Sequence, residues 1–170
     1  MRGAMAGLPV MVIAVATSVW AGQAAQAPQG GQAARQEGVV PRGEHVMGFS
    51  HEATTHHFRL LKDGGEIVVT ANDAKDAASI GEIRMHLGHI AKMFADGNFS
   101  APMLIHDTNP PGVATMTRRK GQIRYEVSEV ERGAKIRIVT SNTETTDAVH
   151  AFLLFQIVDH QTGDAPTIAE

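Results

Sequence analysis

The amino-acid sequence predicts an α+β domain: an antiparallel sheet of about four strands with two helices packed on one face. Three observations carry this. Two stretches, 55–71 and 122–140, each read as a strand, a tight turn and a returning strand. Each is followed by a run with apolar residues at three- and four-residue steps, the period of a helix buried along one side. The ends of those runs also look alike, Phe94-Ala-Asp-Gly-Asn98 beside His160-Gln-Thr-Gly-Asp164. Strand–strand–helix occurring twice is a ββα–ββα pseudo-repeat, which an antiparallel sheet with helices on one face accommodates.

In the first unit, Thr55–Lys62 alternates with His56, Phe58 and Leu60 on one side and His57, Arg59 and Leu61 on the other. Asp63-Gly-Gly65 supplies the turn and Glu66–Ala71 returns. A Gly64-Gly65 hairpin would pair Leu60 with Val69 and Phe58 with Ala71, bringing the apolar faces together. It would place His56 near residue 73, on the core side. The helix then starts near residue 74 or near residue 80, since Asn72, Asp73 and the Ser79-Ile-Gly-Glu82 capping box all fit. Ile80, Ile83, Leu87, Ile90, Ala91 and Phe94 form its buried stripe, and Asp96-Gly97 ends it. In the second unit, 122–128 and 135–140 are the strands, joined by a turn over 131–134. Ser141-Asn-Thr-Glu144 opens a helix with Val149, Phe152, Leu153, Gln156 and Ile157 on one stripe. Between the units, Pro102–His106 is expected to form a short edge strand, and Asn109-Pro-Pro-Gly112 a turn.

Residues 1–27 match a secretory signal peptide: a lone charge at Arg2, an apolar run Leu8–Trp20, then small residues. Cleavage after Ala21, Ala24 or Ala27 fits. The run falls short of the roughly 20 residues that span a bilayer. A periplasmic or secreted protein, with no membrane partner once the signal is removed, is the expectation. Residues 28–44, rich in Gln, Gly, Ala and Pro, read as a flexible linker, 45–164 as one domain and 165–170 as a disordered tail. The chain has no cysteine, which excludes disulfides, thiolate ligation and c-type haem attachment. Losing the signal removes one of 15 basic residues against 18 acidic, a net charge of about −4. Without a basic face or an aromatic platform, no nucleic-acid partner is expected.

The chemistry is concentrated in nine histidines, at 45, 51, 56, 57, 86, 89, 106, 150 and 160, with five methionines beyond the signal. Glu82, His86, His89 and Met93 lie at i, i+4, i+7 and i+11, one helix face beside the buried stripe. Imidazole suits copper, zinc, iron and nickel, and thioether sulfur selects Cu(I). The expected ligands are therefore His86, His89, Met93 and His56, with Glu82, His106 and His57 as accessory positions. The alternative for the helix set is a polar rim beside the core. His45 and His51, at the linker's edge, are a possible accessory arm; His160, in a helix's last turn, fits a structural role. No nucleophile elbow, phosphate loop or zinc-protease pattern occurs, so no catalytic residue is assigned.

Thr55-His-His-Phe58, Ile83-Arg-Met-His-Leu87, Pro110-Pro-Gly112 and Phe155-Gln-Ile-Val-Asp-His-Gln-Thr-Gly-Asp164 resemble segments of a family of small exported bacterial proteins. The resemblance spans about 47–164 and implies export and a single domain, with no activity attached. Such proteins sometimes carry the label aspartate carbamoyltransferase. This sequence does not support that label, being too short for two domains and lacking an S-x-R-T phosphate-binding run. The leading expectation is a periplasmic metal-binding protein, for copper ahead of zinc, that sequesters or hands over its ion. The alternatives are a module for haem or another apolar ligand with a histidine axial group, and a small hydrolase- or isomerase-like enzyme using a His–carboxylate pair.

Overall fold

Alternation and two-residue turns organise the centre of the molecule. The computed structural model describes residues 29–169, so the expected signal segment 1–27 lies outside the described residues. Strands β1 (Thr54–Leu61) and β2 (Gly64–Ala71) form one hairpin, and β3 (Arg124–Val130) and β4 (Gly133–Val139) the other. They make one antiparallel sheet in the order β1-β2-β4-β3. Helix α3 (Ala77–Ala95) follows the first hairpin and α6 (Thr143–Asp159) the second. The class is thus α+β, with the strand–strand–helix order occurring twice.

The turns are Lys62-Asp63 and Glu131-Arg132, each followed by a glycine that opens an inner strand. A Cβ on Gly64 would stand 2.2 Å from the Ile138 carbonyl oxygen, and one on Gly133 would stand 2.1 Å from that of Val69. The two inner strands therefore approach each other at both ends through a glycine, about a pseudo-two-fold near the Ile67–Ile136 pair. This moves the first hairpin's register from the expected one. Leu60 faces Gly65, Phe58 faces Ile67, and His56 faces Val69 rather than the region of residue 73. The shift is an even number of residues, so the apolar faces still coincide.

One core fills the space between sheet and helices. Phe58, Leu60, Ile67, Val69, Ile136 and Ile138 face Ile83, Leu87, Phe94, Val149, Phe152 and Leu153, all buried. Helix α3 starts between the two expected points, because the Asp76 carboxylate caps it by accepting from the Ser79 amide at 3.0 Å. Asn142 caps α6 in the same way through the Thr145 amide. The sheet's other face carries ion pairs, with Glu66 between Arg59 and Lys135.

Three further expectations are corrected. Residues 100–106 form a helix, α4 (Ser100–His106), not an edge strand. Pro102 sits in its first turn, where a missing N–H costs nothing, and Ala101, Pro102 and Ile105 are buried on one face. The segment expected as a flexible linker carries α1 (Gln29–Glu37) and α2 (Val39–Met47), and α2 buries Val39, Gly43 and Met47 at four-residue steps against α4. Polar anchors add to this: Arg35 reaches Asp159 and Arg42 donates to the Ile105 carbonyl at 2.7 Å. The packed unit therefore begins well before residue 45. The expected disordered tail also docks. Ile168 bridges Leu60 in parallel and the Ala169 amide donates to the Leu60 carbonyl, covering the outer edge of β1.

After Pro110-Pro111, Gly112 takes φ 83° and begins α5 (Val113–Arg118), lying so close to α6 that a Cβ would meet the Ala148 carbonyl at 2.0 Å. The docked amino-terminal helices generate a prediction. Deleting residues through Gly43 uncovers the α4 face and strips Asp159 of its arginine, so the thermal midpoint falls by about 5 °C or more, on the usual scale of several degrees per kcal/mol. An unchanged midpoint in differential scanning calorimetry would show that α1 and α2 contribute nothing.

Candidate functional site

Strand alternation turns Thr54, His56, Phe58 and Leu60 inward and His57 and Arg59 outward. His56 thus enters the core at the end of β1 nearest the loop that follows α2. His51 lies in that loop, which the Glu44 carboxylate fastens by accepting from the His51 amide and the Ser50 hydroxyl. His160 is the C-cap residue of α6, immediately after Asp159. His106 ends α4, where Asp107 takes a left-handed turn at φ 48°. Helix α3 presents His86 to the same region.

These elements bring four imidazoles together. The ring centres of His51 and His56 are 5.2 Å apart, those of His51 and His160 5.7 Å, and those of His56 and His160 5.6 Å. Their planes agree within 5–11°. Nε2 of His51 stands 3.4 Å from Nδ1 of His160. His106 meets His160 edge to face at 4.9 Å. Phe49 lies beside His56 and His86, and Phe58 beside His56 and His160, so the surroundings are aromatic and apolar.

A cavity of about 70 Å³ opens among His56, His86, His106, Gln156, His160 and core side chains. This is roughly half the 150 Å³ of an engineered apolar cavity that admits benzene. Two polar atoms of its lining, Nδ1 of His56 and Nε2 of Gln156, are buried without a hydrogen-bond partner. An orphaned polar atom in the interior costs about 1–3 kcal/mol.

Beneath the cluster lies a buried polar chain. Arg35 pairs with Asp159 at 2.8 Å, Nδ1 of His106 is 2.6 Å from the other Asp159 oxygen, and Nε2 of His106 is 2.9 Å from the Gln156 side-chain oxygen. Burial holds the His106 pKa below its ordinary value despite these two hydrogen bonds. A neutral His106 donates from Nδ1 to the carboxylate, so Nε2 is an acceptor and requires the Gln156 amide to present its NH₂ group. With the Gln156 amide turned in this way, its NH₂ is satisfied and its carbonyl oxygen takes the unpartnered position at the cavity. Both nitrogens of His106 are then engaged, and neither is free to take a proton from a substrate.

Burial holds His56, His86 and His160 uncharged. Burial lowers His56 to about 3, with the neighbouring His51, His86 and His57 adding repulsion. Burial lowers His86 to about 4, with His89 adding to it. His160 is well below the ordinary range because of burial, then His56, His106 and His51.

The expected ligand set is divided between two hollows. His56 and His86 share the cavity, whereas His89 and Met93 line a separate groove on the other side of His86. Glu82 is exposed on α3 and lines neither. His57 points to the opposite sheet face and contacts Asp164 at 2.8 Å. His150 donates to the Leu61 and Gly64 carbonyls, fastening the first hairpin turn, and His45 is exposed. His51 and His160 join the cluster although neither was among the expected ligands. The signal available was the density of histidines at element ends, which periodicity does not score. Among the described residues, no three His, Asp or Glu side chains stand as a set ready to hold a metal ion. Comparison with protein-family models, with curated proteins and with solved structures finds no match.

The buried neutral imidazoles fix a pH dependence. Their folded pKa values lie below the unfolded value near 6.5, so the unfolded chain binds more protons between the two. Stability is complete above about pH 6.5 and falls as the pH drops towards 4, by up to about 1.4 kcal/mol per pH unit for each such histidine. Urea titrations from pH 7.5 to 4.5 read this directly, and a midpoint independent of pH over that range would contradict it.

Proposed function

We propose that this protein binds a transition-metal ion, copper ahead of zinc, through the imidazoles of His51, His56 and His160. The supporting observation is the triangle that those rings form. Three parallel rings with three near-equal separations cannot be a column, because the outer pair of a column stands twice as far apart as neighbours. Brought into one plane with a nitrogen of each turned inward, rings at these separations would stand about 3.2 Å from their centre, and a ring nitrogen would cover about 1.1 Å of that, leaving about 2.1 Å, a usual metal–nitrogen length.

His51 and His160 already meet edge to edge, and one of them must donate an N–H to the other's lone pair. An ion takes the place of that shared proton, the donor ring moving its proton to its other nitrogen. In-plane rotation of about 30° turns both nitrogens from each other to the centre. His51, on a loop between α2 and β1, has the most freedom to make that adjustment. His56 supplies a buried nitrogen with nothing else to bind. Imidazoles without a carboxylate suit copper and zinc, and the cavity leaves room for a fourth ligand such as water.

The same features weigh against the rival readings. A cavity of about 70 Å³ is too small for haem. The His106–Asp159 pair has no free nitrogen for proton transfer. A site of histidines under a docked helical cover is suited to holding an ion and releasing it to a partner. The apolar run Leu8–Trp20 supports a periplasmic setting for that role.

The test is calorimetry of metal-free protein with Zn(II) and, under reducing conditions, Cu(I). One equivalent of Zn(II) binds, and His51→Ala and His160→Ala each weaken it by about a hundredfold, while His57→Ala leaves it within about twofold, as loss of a ligand does and loss of a remote imidazole does not. Equal binding by all three variants would remove the function.

A further inference from the structure

Helices α2, α3 and α4 enclose a groove of about 330 Å³ that the His51–His56–His160 reading does not use. Met47, Met85, Met93, His86 and His89 line it together with small and apolar residues. No carboxylate and no lysine or arginine takes part in the lining. Met85 is 73 % exposed on α3, and Met103 and Leu104 of α4 are also exposed nearby. Four thioether and imidazole groups lie on successive turns of one helix: Met85 is four residues before His89, which is four before Met93, and His86 is two turns before Met93 on the same side.

The groove and the histidine cavity share a wall. Met47, His86, Ile90 and Ala101 line both. His86 therefore stands between an outer hollow of sulfur ligands and an inner one of nitrogen ligands.

We infer that the groove is a second metal site, selective for a soft monovalent d¹⁰ cation such as Cu(I), and that it receives the ion before His86 passes it inward. Thioether sulfur binds Cu(I) and leaves hydrated divalent ions alone. A lining without a carboxylate also favours a single positive charge, since a divalent ion costs far more to strip of water without a counter-charge. No electron is transferred: Cu(I) enters as Cu(I), exchanging sulfur for nitrogen ligands. Methionine as a mere gap-filler accounts for Met47 and the half-buried Met93, but not for Met85, which fills no gap. The inference rests on the three-histidine reading for the ion's destination, and the experiment separates the two.

The probe is Ag(I), a redox-inert stand-in for Cu(I), added to the full chain with methionine methyls labelled with carbon-13. The Met85 and Met93 methyl signals shift on the first additions, whereas Met116, fully buried in the core, stays still. Met85→Leu lowers the Ag(I) affinity at least tenfold and Met85→Leu with Met93→Leu removes one equivalent, with Zn(II) binding unchanged in both. Met85 is a surface residue, so its variant folds even if the double variant does not. Ag(I) binding that leaves the Met85 and Met93 methyls unmoved, or that survives Met85→Leu at full strength, overturns the groove site. Loss of the three-histidine reading is seen separately, as Zn(II) binding indifferent to His51→Ala and His160→Ala.

Discussion

The arrangement of the site depends on one buried carboxylate. Asp159 is 2 % exposed and lies in the last turn of α6, where the helix dipole disfavours a negative charge. It is tolerable there because Arg35 and His106 meet its two oxygens at 2.8 and 2.6 Å. Removing one partner from such a pair costs about 3–5 kcal/mol, since a charge is left uncompensated in the interior. Three elements that share no backbone are thereby tied at one point: α1 through Arg35, α4 through His106 and α6 through Asp159 itself. His160 is the next residue, so its ring position follows from that tie.

The sheet supplies the other half of the geometry. Gly64 and Gly133 let the inner strands close upon each other, and the resulting register sets His56 opposite Val69, facing the helices. The loop 48–53 then needs only to lay His51 against rings already held by a strand and a helix end. Two histidines on rigid elements and one on an adjustable loop is a combination that permits both a defined site and a way to open it.

Much of this fold was legible in the chain. Alternation in 55–61, the 3.6-residue stripe of α3 and the repeated Asp-Gly or Thr-Gly ends specify strands, helices and their order, because local periodicity reflects which side of an element is buried. Register was less legible: a choice between Lys62-Asp63 and Gly64-Gly65 as the turn depends on Ile138, far along the chain. The amino-terminal helices were hidden for a related reason. Val39, Gly43 and Met47 make a narrow stripe in a polar composition, and their burial depends on an α4 face that composition does not reveal. The histidine cluster was legible only in part. His86 and His89 announce themselves by helical spacing, whereas His51 and His160 are 109 positions apart and meet only through tertiary packing.

The chemistry that follows is that of nitrogen lone pairs kept free. Burial and mutual repulsion keep His56, His86 and His160 uncharged at neutral pH, which is the state that a metal ion needs. The central claim is that three imidazoles share one centre. X-ray absorption of the protein loaded with one equivalent of Zn(II) measures that centre directly. Three imidazole nitrogens at about 2.0 Å, with the outer-ring scattering of histidine and no sulfur, is the predicted spectrum. A first shell of oxygen alone, or one with fewer than two histidines, would contradict the account.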